Sequence, residues 1–423
     1  MTSAEPSDPT AIGREFVKPP VSRHAVTFVL ITVFLDMVGF GIIIPVMPTL
    51  IGMVGKVTLA EAAVIGGWMA AAYSVAQFLF GPLMGNLSDR FGRRPLLLLA
   101  IFGLGLDFLL QALAPTLGWL FVGRVLAGLC GASWVIANAY IADITPPEGR
   151  AKAYGIMGAA FGLGFVIGPA VGGILGEFGP RVPFYAAAAV SLLNFVYGVF
   201  VLPETLKPEN RRRFEWKRSN PLGAFKVFRA YQGVVPMCIV LFSFFFFSSV
   251  YPAIWPFWGM ANFGWSEWMI GVSLAIFGVV MAGFQAGLTG PAVKWFGEFR
   301  VVLIGLICAS IAAMGYGLAG SLAVVVVLMF IHGPEGFIYP MLNAIMSKRV
   351  PENAQGELQG GLASLTNVAM LAGTVFYAQI FGYFMSPASP WLSPDVAFYV
   401  AGAGLGFTLM LFLWLVGHDG DKT

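Results

Sequence analysis

The sequence predicts an all-α membrane protein with twelve transmembrane helices, arranged in two halves of six helices each. Hydrophobic residues make up 58% of the 423 residues and charged residues only 11%, whereas about a quarter of a soluble domain is charged. The apolar residues fall into twelve stretches of about the 20 residues that a membrane-spanning helix needs. Glycine-centred segments recur at one fixed offset along the chain. These observations exclude a soluble protein, and a net charge of only +3 argues against a nucleic-acid partner.

The apolar stretches define the order of the domains. The prediction is a tail at 1–24, an N-terminal half at 25–202, a central loop at 203–232, a C-terminal half at 233–416 and a tail at 417–423. The predicted spans are, in chain order, 25–50, 62–84, 95–114, 118–141, 152–176, 183–202, 233–256, 268–290, 300–319, 321–346, 358–385 and 396–416.

The positions of Lys and Arg predict the orientation of the spans. All of these residues except Lys56, Arg124 and Arg181 fall on one side, which the positive-inside rule assigns to the cytoplasm. The N-terminal tail has neither the basic start nor the cleavage site of a signal peptide, so the first span is expected to be retained. Because the number of spans is even, we expect a multi-pass protein of the inner (plasma) membrane with both termini in the cytoplasm.

The two halves resemble each other in register. Five residues of the first half recur 205 positions later, in corresponding loops and helices, as expected of an internal repeat. An even number of spans in each half gives both copies the same orientation, which predicts a pseudo-twofold axis along the membrane normal. The pairs are Gly85 and Gly290, Phe91 and Phe296, Gly92 and Gly297, Gly128 and Gly333, and Gly131 and Gly336.

Several motifs resemble those of one transporter family. GNLSDRFGRRP, at Gly85–Pro95, resembles the major facilitator signature between helices 2 and 3, and GPAVGG, at Gly168–Gly173, is similar to the helix 5 motif associated with antiporters. Nearly the whole chain is also similar to the tetracycline-efflux subfamily. The segments that carry this likeness are LDMVGFGIIIPVMP (Leu35–Pro48), GRVLAGLCGA and AYIADIT (within Gly123–Thr145), WSEWMIGVSLAIFG (Trp265–Gly278) and QGELQGGLASLT (Gln355–Thr366).

The resemblance implies the major facilitator fold and a gate at the first motif. Asp89 and Arg93 are expected in a loop whose turn is shaped by Gly85 and Gly92. Asp89 would bind a helix end or a basic side chain of a neighbouring helix and so lock the cytoplasmic side. The residues expected to contribute to gating are Gly85, Asp89, Arg90, Gly92, Arg93, Gly168 and Pro169.

Three charged residues lie inside spans of the N-terminal half, where a central charge costs about 2.5–3.5 kcal/mol on insertion scales. Asp36, among apolar residues in the middle of helix 1, is expected to exchange a proton near physiological pH, and the resemblance assigns it substrate or proton work. Asp107 has a family counterpart on helix 3, although a purely structural hydrogen bond explains it equally. Arg124 opens helix 4, and the resemblance implies a role in proton coupling; an interhelical bond is the alternative.

Helix 10 departs from the family pattern. Ala309 and Met281 replace an acid and a histidine that some members carry on helices 9 and 8, whereas His332 and Glu335 appear where small residues are expected. Their spacing of three places both on one helical face, and Pro334 predicts a kink between them. The hypothesis is that Glu335 takes over proton or cationic-cargo binding; a structural pair with His332 remains the alternative.

Uncharged polar residues in the spans complete the candidate site. Gln77 and Gln285 match polar cavity residues of the subfamily, although each of these glutamines also fits an interhelical hydrogen bond. Asn138 shares a predicted face with Arg124. The aromatic run Phe242–Trp255 is expected to stack on a planar ligand or to add bulk facing lipid. The cysteines at positions 130, 238 and 308 are expected to be buried thiols, with no metal or disulfide spacing.

By this resemblance, we expect a proton-coupled secondary transporter rather than an enzyme, specifically an efflux antiporter for tetracycline-like or other amphipathic drugs. It would need no cofactor, with the proton gradient as its energy source. Its partners would be a small-molecule substrate, protons and the lipid bilayer, without nucleic acid, and it would act as a monomer. The alternatives are a proton-coupled importer or exporter of a metabolite, or a membrane receptor that no longer transports.

Overall fold

The computed structural model describes residues 23–131, 133–146, 149–206, 208–214, 226–351 and 354–416. These residues form helices joined by short connections, with no strand in any of the described ranges. The two predicted tails lie outside these ranges, except for residues 23 and 24, and so do residues 215–225 of the predicted central loop.

The N-terminal half forms its spans from helices α1 to α8. The fourth span is made of two of them, α5 and α6. The bounds are α1 Arg23–Ile43, α2 Met47–Gly55, α3 Leu59–Phe91, α4 Arg93–Leu113, α5 Leu117–Cys130, α6 Ser133–Ile144, α7 Arg150–Gly176 and α8 Val182–Val201.

The central loop contains a short 3₁₀ turn at Pro208–Asn210 and the short helix α9, and the C-terminal half then forms its spans from helices α10 to α17. A π-helical segment, Phe284–Leu288, and a 3₁₀ segment, Gly333–Phe337, interrupt two of its spans. The bounds are α9 Lys226–Ala230, α10 Val234–Ser248, α11 Val250–Phe263, α12 Glu267–Gly283, α13 Thr289–Gly317, α14 Leu322–His332, α15 Ile338–Ser347, α16 Gln355–Phe384 and α17 Val396–Val416.

The described helices include eleven continuous segments that are long and apolar enough to cross a membrane. The longest, Glu267–Gly317, has 51 residues. At about 1.5 Å per residue it is more than twice as long as a bilayer core of about 30 Å is thick. Its backbone leaves helical geometry at Gly297, where φ is 76°. The segment therefore holds the eighth and ninth predicted spans, joined at that glycine.

Prolines explain where helices end earlier than the apolar stretches do. The predicted first span ends at Ile43, because Pro45 lies in the following turn, and Pro48 then occupies the first turn of α2. The predicted seventh span divides at Ser249, because the ring of Pro252 cannot coexist with a regular helical carbonyl at Ser248. These two spans are therefore each broken, which the scan for apolar residues did not predict.

The repeat predicted from the sequence has counterparts in local geometry. Gly92 and Gly297 both take positive φ, 108° and 76°, at the junction that follows the second span of each half. The side chains of Arg150 and Gln355 each donate to two carbonyls of the preceding helix and its turn. The acceptors are Ala142 and Thr145 for Arg150, and Ser347 and Val350 for Gln355, each again 205 positions apart. The pseudo-twofold axis itself remains a prediction.

Among the described residues, the main packing between the two halves lies at one end of the molecule. At that end α7 contacts α12, and α3 contacts α16. The Thr49 hydroxyl donates to Glu267 Oε1 at 2.5 Å, and the backbone N–H of Trp268 donates to Glu177 Oε1 at 3.3 Å. We call this the closed end, and the other end, which carries Arg93 and Lys348, the basic end.

The same four helices separate towards the basic end. On α7, the closed-end glycines Gly173 and Gly176 lie against α12, whereas a Cβ atom added at Gly155, Gly158 or Gly162 would have no neighbouring atom within 4 Å. A Cβ atom added at the basic-end glycines of the C-terminal half would also have no neighbouring atom within 4 Å. These glycines are Gly283, Gly287, Gly356 and Gly360. The interior between the halves is therefore open to the basic end.

Part of the aromatic run of the seventh span packs inside the C-terminal half, so the interpretation as bulk facing lipid is wrong for Phe244 and Trp255. Phe244 and Trp255 are each only 4% exposed. The ring of Phe246 lies 5.3 Å from that of Phe376, and the ring of Phe245 lies 5.7 Å from that of Tyr339. The run contributes a dense aromatic core between α10, α11, α15 and α16.

Candidate functional site

A buried ion pair joins the third and fourth spans of the N-terminal half. Asp107 Oδ2 lies 3.6 Å from Arg124 Nη2, and both side chains are almost fully buried. The Gln111 side-chain amide donates to both Asp107 oxygens at 2.8 Å. Arg124 Nε and Gln111 Oε1 are buried without a hydrogen-bond partner among the described residues. Arg124 sits in the middle of α5, not at its start as expected, so it reaches the depth of Asp107.

Asp36 belongs to the same region, on α1. Its carboxylate accepts a hydrogen bond from the Ser133 hydroxyl at the start of α6. Tyr73, on α3, lies within electrostatic range of Asp36, Asp107 and Arg124. The Gln77 side chain donates to the Tyr73 hydroxyl at 3.2 Å. The structure thus brings four predicted residues, Asp36, Gln77, Asp107 and Arg124, together around one tyrosine. We call Asp36, Tyr73, Asp107, Gln111 and Arg124 the N-site.

A second charged cluster lies on the tenth span of the C-terminal half. His332 Nε2 and Glu335 Oε2 share a short hydrogen bond. The Tyr316 hydroxyl lies 3.5 Å from His332 Nδ1, and the rings of Tyr251 and Phe277 lie 4.5 and 4.8 Å from the imidazole. His332 is 1% exposed and Glu335 9%. We call His332 and Glu335 the C-site.

Irregular backbone surrounds the C-site. The predicted kink at Pro334 is confirmed, since the helix becomes a 3₁₀ segment from Gly333 to Phe337. Gln285 lies on the facing π-helical segment and donates to the Gly336 carbonyl at 3.3 Å. π-helical insertions frequently mark functional positions in helices. Gln285 therefore makes the interhelical bond that was its alternative interpretation, at a position beside Glu335.

Asn138 does not join either cluster. Its side-chain amide donates to the Trp134 carbonyl of its own helix, α6, at 2.8 Å. The expected common face with Arg124 is interrupted, because the fourth span breaks between α5 and α6.

The prediction of a loop within the first motif, Gly85–Pro95, is wrong. Asp89 lies in the last turn of α3, and Arg93 is the first residue of α4. Gly92 alone makes the turn, because its φ of 108° reverses the chain within one residue. Gly85 lies inside α3, packed near Val135, rather than in the turn. Arg90 extends over the Phe91 ring, 5.0 Å from its centroid.

Arg93 is the centre of the charge network at the basic end. Its guanidinium lies 2.6 Å from Asp89 Oδ1 and 3.1 Å from Asp143 Oδ2. Glu204, in the central loop, accepts from the backbone N–H groups of Arg93 and Arg94 at 2.9 and 3.3 Å and so caps α4. In the open basic end these contacts all stay within the N-terminal half and its following loop.

The antiporter-like motif lies at a close crossing of three helices. Gly168 packs against the Val38 backbone of α1, and a side chain added at Gly41 would meet Pro169 at 2.7 Å. On its other side Pro169 contacts Gly271 of α12. Gly168 and Pro169 therefore lie where α7 contacts both α1 and α12 of the opposite half. Any rocking of the halves must change the contacts at this crossing.

Several residues of these clusters were missed from the sequence. Gln111 follows Asp107 by four residues, a spacing that places both on one helical face and could have identified it. Tyr73, Tyr251 and Tyr316 carry no local signal, since tyrosine is common in helices and only tertiary contacts bring them to the charges. Glu204 lies in a loop sequence that gives no indication of its contact with α4.

The residue types do not suggest a metal centre. Within the described ranges, no group of three or more His, Cys, Asp or Glu is placed to hold a metal ion. Cys130 and Cys238 are buried, as expected, whereas Cys308 is partly exposed.

The chain matches one protein family over most of its length. The family model described as Major Facilitator Superfamily matches residues 29–374. The chain belongs to the Major Facilitator Superfamily. It is 38% identical over 373 residues to the class C tetracycline resistance protein of Escherichia coli, covering 88% of this chain and 92% of that protein. It is 30% identical to Multidrug resistance protein 2 of Bacillus subtilis, covering 93% and 97%.

A solved structure supports the same superfamily fold. A bacterial homologue of the human lysosomal transporter Spinster, in an inward-facing and occupied conformation, matches with a TM-score of 0.73. Sequence identity is 16%, and the match covers 94% of this chain and 96% of that chain. The chain is therefore a multi-pass transporter of the Major Facilitator Superfamily and not an enzyme, and its family implies a small-molecule substrate.

Proposed function

We propose that this protein exports amphipathic drug-like molecules, tetracyclines among them, in exchange for protons. The observation that carries the proposal is the N-site, which holds the buried Asp107 and Arg124 and the partly exposed Asp36 together inside the spans. Charges at that depth are costly and typically serve transport of ions, protons or substrate. The similarity over most of the chain to proteins named for tetracycline and multidrug resistance supports drugs as the cargo.

The N-site has the charge and the unpaired atoms that such an exchange needs. Asp36, Asp107 and Arg124 sum to a formal charge of −1, so the cluster becomes neutral when it takes up one proton. The buried Arg124 Nε and Gln111 Oε1 lack partners among the described residues, and leaving a buried polar group unpaired costs about 1–3 kcal/mol. In the proposal, bound cargo and a bound proton relieve this free-energy cost alternately. Asp36 is the acid that takes up and releases the proton, and Arg124 helps to expel that proton.

The open basic end supports a cytoplasm-facing state in this proposal. By the positive-inside rule, its Lys and Arg residues favour the cytoplasm for that end, and in the proposal both termini lie on that side of the inner membrane. Cargo would enter between the halves from the basic end, and the halves would then rock about the contacts of α7 with α12 and α3 with α16. A proton moving inwards supplies about 2.3 kcal/mol per 100 mV. The unit would be one chain, without cofactor or nucleic acid.

Transport by reconstituted protein tests the proposal. In vesicles with the basic end outwards and an acidic interior, we expect uptake of tetracycline or of a cationic dye, which stops when the pH gradient is collapsed. Asp36→Asn should abolish gradient-driven uptake, because the amide cannot carry the proton. Glu209→Gln is the matched control, since Glu209 is an exposed carboxylate of the central loop.

The outcomes separate the alternatives. Cargo that moves in the same direction as protons would indicate an importer and contradict export. Gradient-driven uptake that is unchanged in Asp36→Asn would contradict the role of Asp36. If no compound of a broad panel moves under any gradient, the protein is better described as a receptor than as a transporter.

A further inference from the structure

We propose that His332 and Glu335 form a second proton-binding site, in the C-terminal half, which exchanges its proton with the interior between the halves independently of the N-site. The proposal rests on the proton coupling proposed above, and it adds a second group that takes part in it. Three observations carry it: the charge balance of each half, the surroundings of the pair, and the difference in accessibility between its two members.

The two halves have the same charge balance inside their spans. Leaving aside Lys152 and Arg300, which are the first residues of their predicted spans, the charged side chains described inside the spans of the N-terminal half are those of Asp36, Asp107 and Arg124, with a formal charge of −1. In the C-terminal half they are Glu335 and the titratable His332, and with neutral histidine the formal charge is again −1. The buried arginines of the described chain, Arg93 and Arg124, both belong to the first half. Each half therefore contains one negative charge that no basic residue neutralises.

The surroundings allow the C-site to hold a proton. A proton between His332 Nε2 and Glu335 Oε2 makes the pair neutral overall while both groups keep their hydrogen bond. The imidazolium form would lie beside the rings of Tyr251 and Phe277, at 4.5 and 4.8 Å, which is within the range of cation–π attraction. The Tyr316 hydroxyl can accept from the second ring nitrogen, so both nitrogens of a protonated histidine have partners.

The helices packed against the pair contribute tyrosines as their titratable groups. These are Tyr251 on α11 and Tyr316 on α13, with Tyr377 on α16 behind Tyr251. The adjoining π-helical segment contributes Gln285, which does not titrate. Among the described residues that face the pair there is no Lys, Arg, Asp or second Glu. An uncompensated charge at Glu335 therefore has to be balanced by the histidine proton or by a cation from the interior.

The difference in exposure between Glu335 and His332 indicates the route by which the proton is exchanged. The Glu335 side chain is 11% exposed and that of His332 1%, so a proton enters or leaves through the carboxylate. The aromatic core formed by Tyr316, Trp255 and Trp258 lies behind the histidine on the closed-end side. Closing the basic end around a charged pair would bury an unneutralised carboxylate, whereas the protonated pair is neutral and tolerates burial. The protonated form is thus the one that passes through the occluded state.

Histidine-selective isotope labelling tests the site without a cargo or transport. The chain contains only three histidines, at positions 24, 332 and 418, so the His332 signal can be assigned with His332→Gln. In wild-type protein in lipid nanodiscs, we expect that signal to differ between acidic and alkaline solution. Glu335→Gln should alter this pH dependence, whereas Asp36→Asn, which changes only the other half, should leave it as in the wild type.

Infrared spectroscopy provides a second measurement, which does not depend on the folding of Glu335→Gln. The difference spectrum of wild-type protein between acid and alkaline pH should contain a carboxyl band that His332→Gln shifts and Asp36→Asn leaves in place. A His332 signal that does not change with pH, or that titrates identically in Glu335→Gln, would overturn the proposal. Because neither measurement uses transport, failure to export a drug leaves this result unaffected, and the two proposals can fail separately.

Discussion

In the N-terminal half a buried carboxylate is paired with an arginine, and in the C-terminal half with a histidine. The two pairs, Asp107 with Arg124 and Glu335 with His332, do not occupy positions that correspond in the repeat. The positions 205 residues after Asp107 and Arg124 are Ala312 and Met329, both buried, and the positions 205 residues before His332 and Glu335 are Ala127 and Cys130. The halves share turn glycines and side-chain bonds to backbone carbonyls, which serve the helix framework. Their charged clusters differ, so the shared helix framework does not fix the chemistry of the site.

The halves also differ at the basic end. An ion pair occurs there at corresponding positions of the repeat, but with the acidic and basic residues exchanged. Arg93 pairs with Asp143 in the first half, and Glu298 pairs with Lys348, 205 positions later, in the second. The side chains of Arg93 and Asp143 are 11% and 25% exposed, and those of the related Glu298 and Lys348 are 26% and 66% exposed. An exposed pair is screened by water and contributes little, whereas a buried one is costly to break. The same position therefore carries a strong interaction in one half and a weak one in the other.

The largest effect is expected from removing the arginine of the N-site. Arg124→Met introduces the residue found at the related position of the other half, but it leaves Asp107 buried without a counter-charge. Breaking a buried ion pair in this way costs about 3–5 kcal/mol. We expect a corresponding loss in the free energy of unfolding, measured by denaturation in detergent micelles.

The double variant Asp107→Asn with Arg124→Met removes both charges and keeps an acceptor for Gln111, so it should recover most of that loss. Met329→Leu, at the related position, is the control and should cost less than about 1.5 kcal/mol. An Arg124→Met protein as stable as the parent would show that the pair contributes nothing to holding α4 and α5 together.

A smaller effect is expected at the gate. Asp89→Asn weakens the contact that holds Arg93 at the basic end, so we expect at least a tenfold loss of transport rate, about 1.4 kcal/mol, with expression and fold intact. Lys294→Gln is the matched control, because Lys294 lies 205 positions after Asp89, in the half whose ion pair at the basic end is exposed. Normal transport by Asp89→Asn, measured in the vesicle assay, would disprove its gating role.

The smallest effect is expected from the exposed pair of the C-terminal half. Glu298→Gln should lower the free energy of unfolding by no more than about 1 kcal/mol, the usual limit for an exposed ion pair. Arg93→Gln should cost more, because it removes charged hydrogen bonds that are each worth about 1.5–3 kcal/mol. Equal losses in the two variants, measured side by side by thermal denaturation, would contradict the contrast between the halves.

Much of the fold could be predicted because each membrane span is determined by the residues of one continuous segment of the chain. A span needs a continuous apolar stretch of fixed length, and the positions of Lys and Arg give its orientation. The helix breaks at Pro252 and within the first span were missed, since a scan of hydropathy does not register the lost backbone donor of proline. The expected loop at Asp89 was wrong for a related reason: one glycine with positive φ replaces several loop residues.

The site was predictable only where a residue is unusual in its own surroundings. Asp36, Asp107, Arg124 and Glu335 are conspicuous because charges are rare in apolar helices. Tyr73 and Tyr316 are not, because what distinguishes them is their distance to residues far away in the chain. Asn138 shows the reverse case, since a polar residue that matched the pattern bonds to its own helix.

The sequence by itself determined the membrane class, the number of spans, the internal repeat and the presence of costly charges, because each depends on composition or on spacing along one helix. The tertiary structure decided which charges meet, which end of the molecule is open and which half buries its ion pair. These depend on how separate helices cross, and the close approaches at Gly168, Pro169 and Gly271 show that such crossings are set by contacts between spans far apart in the chain.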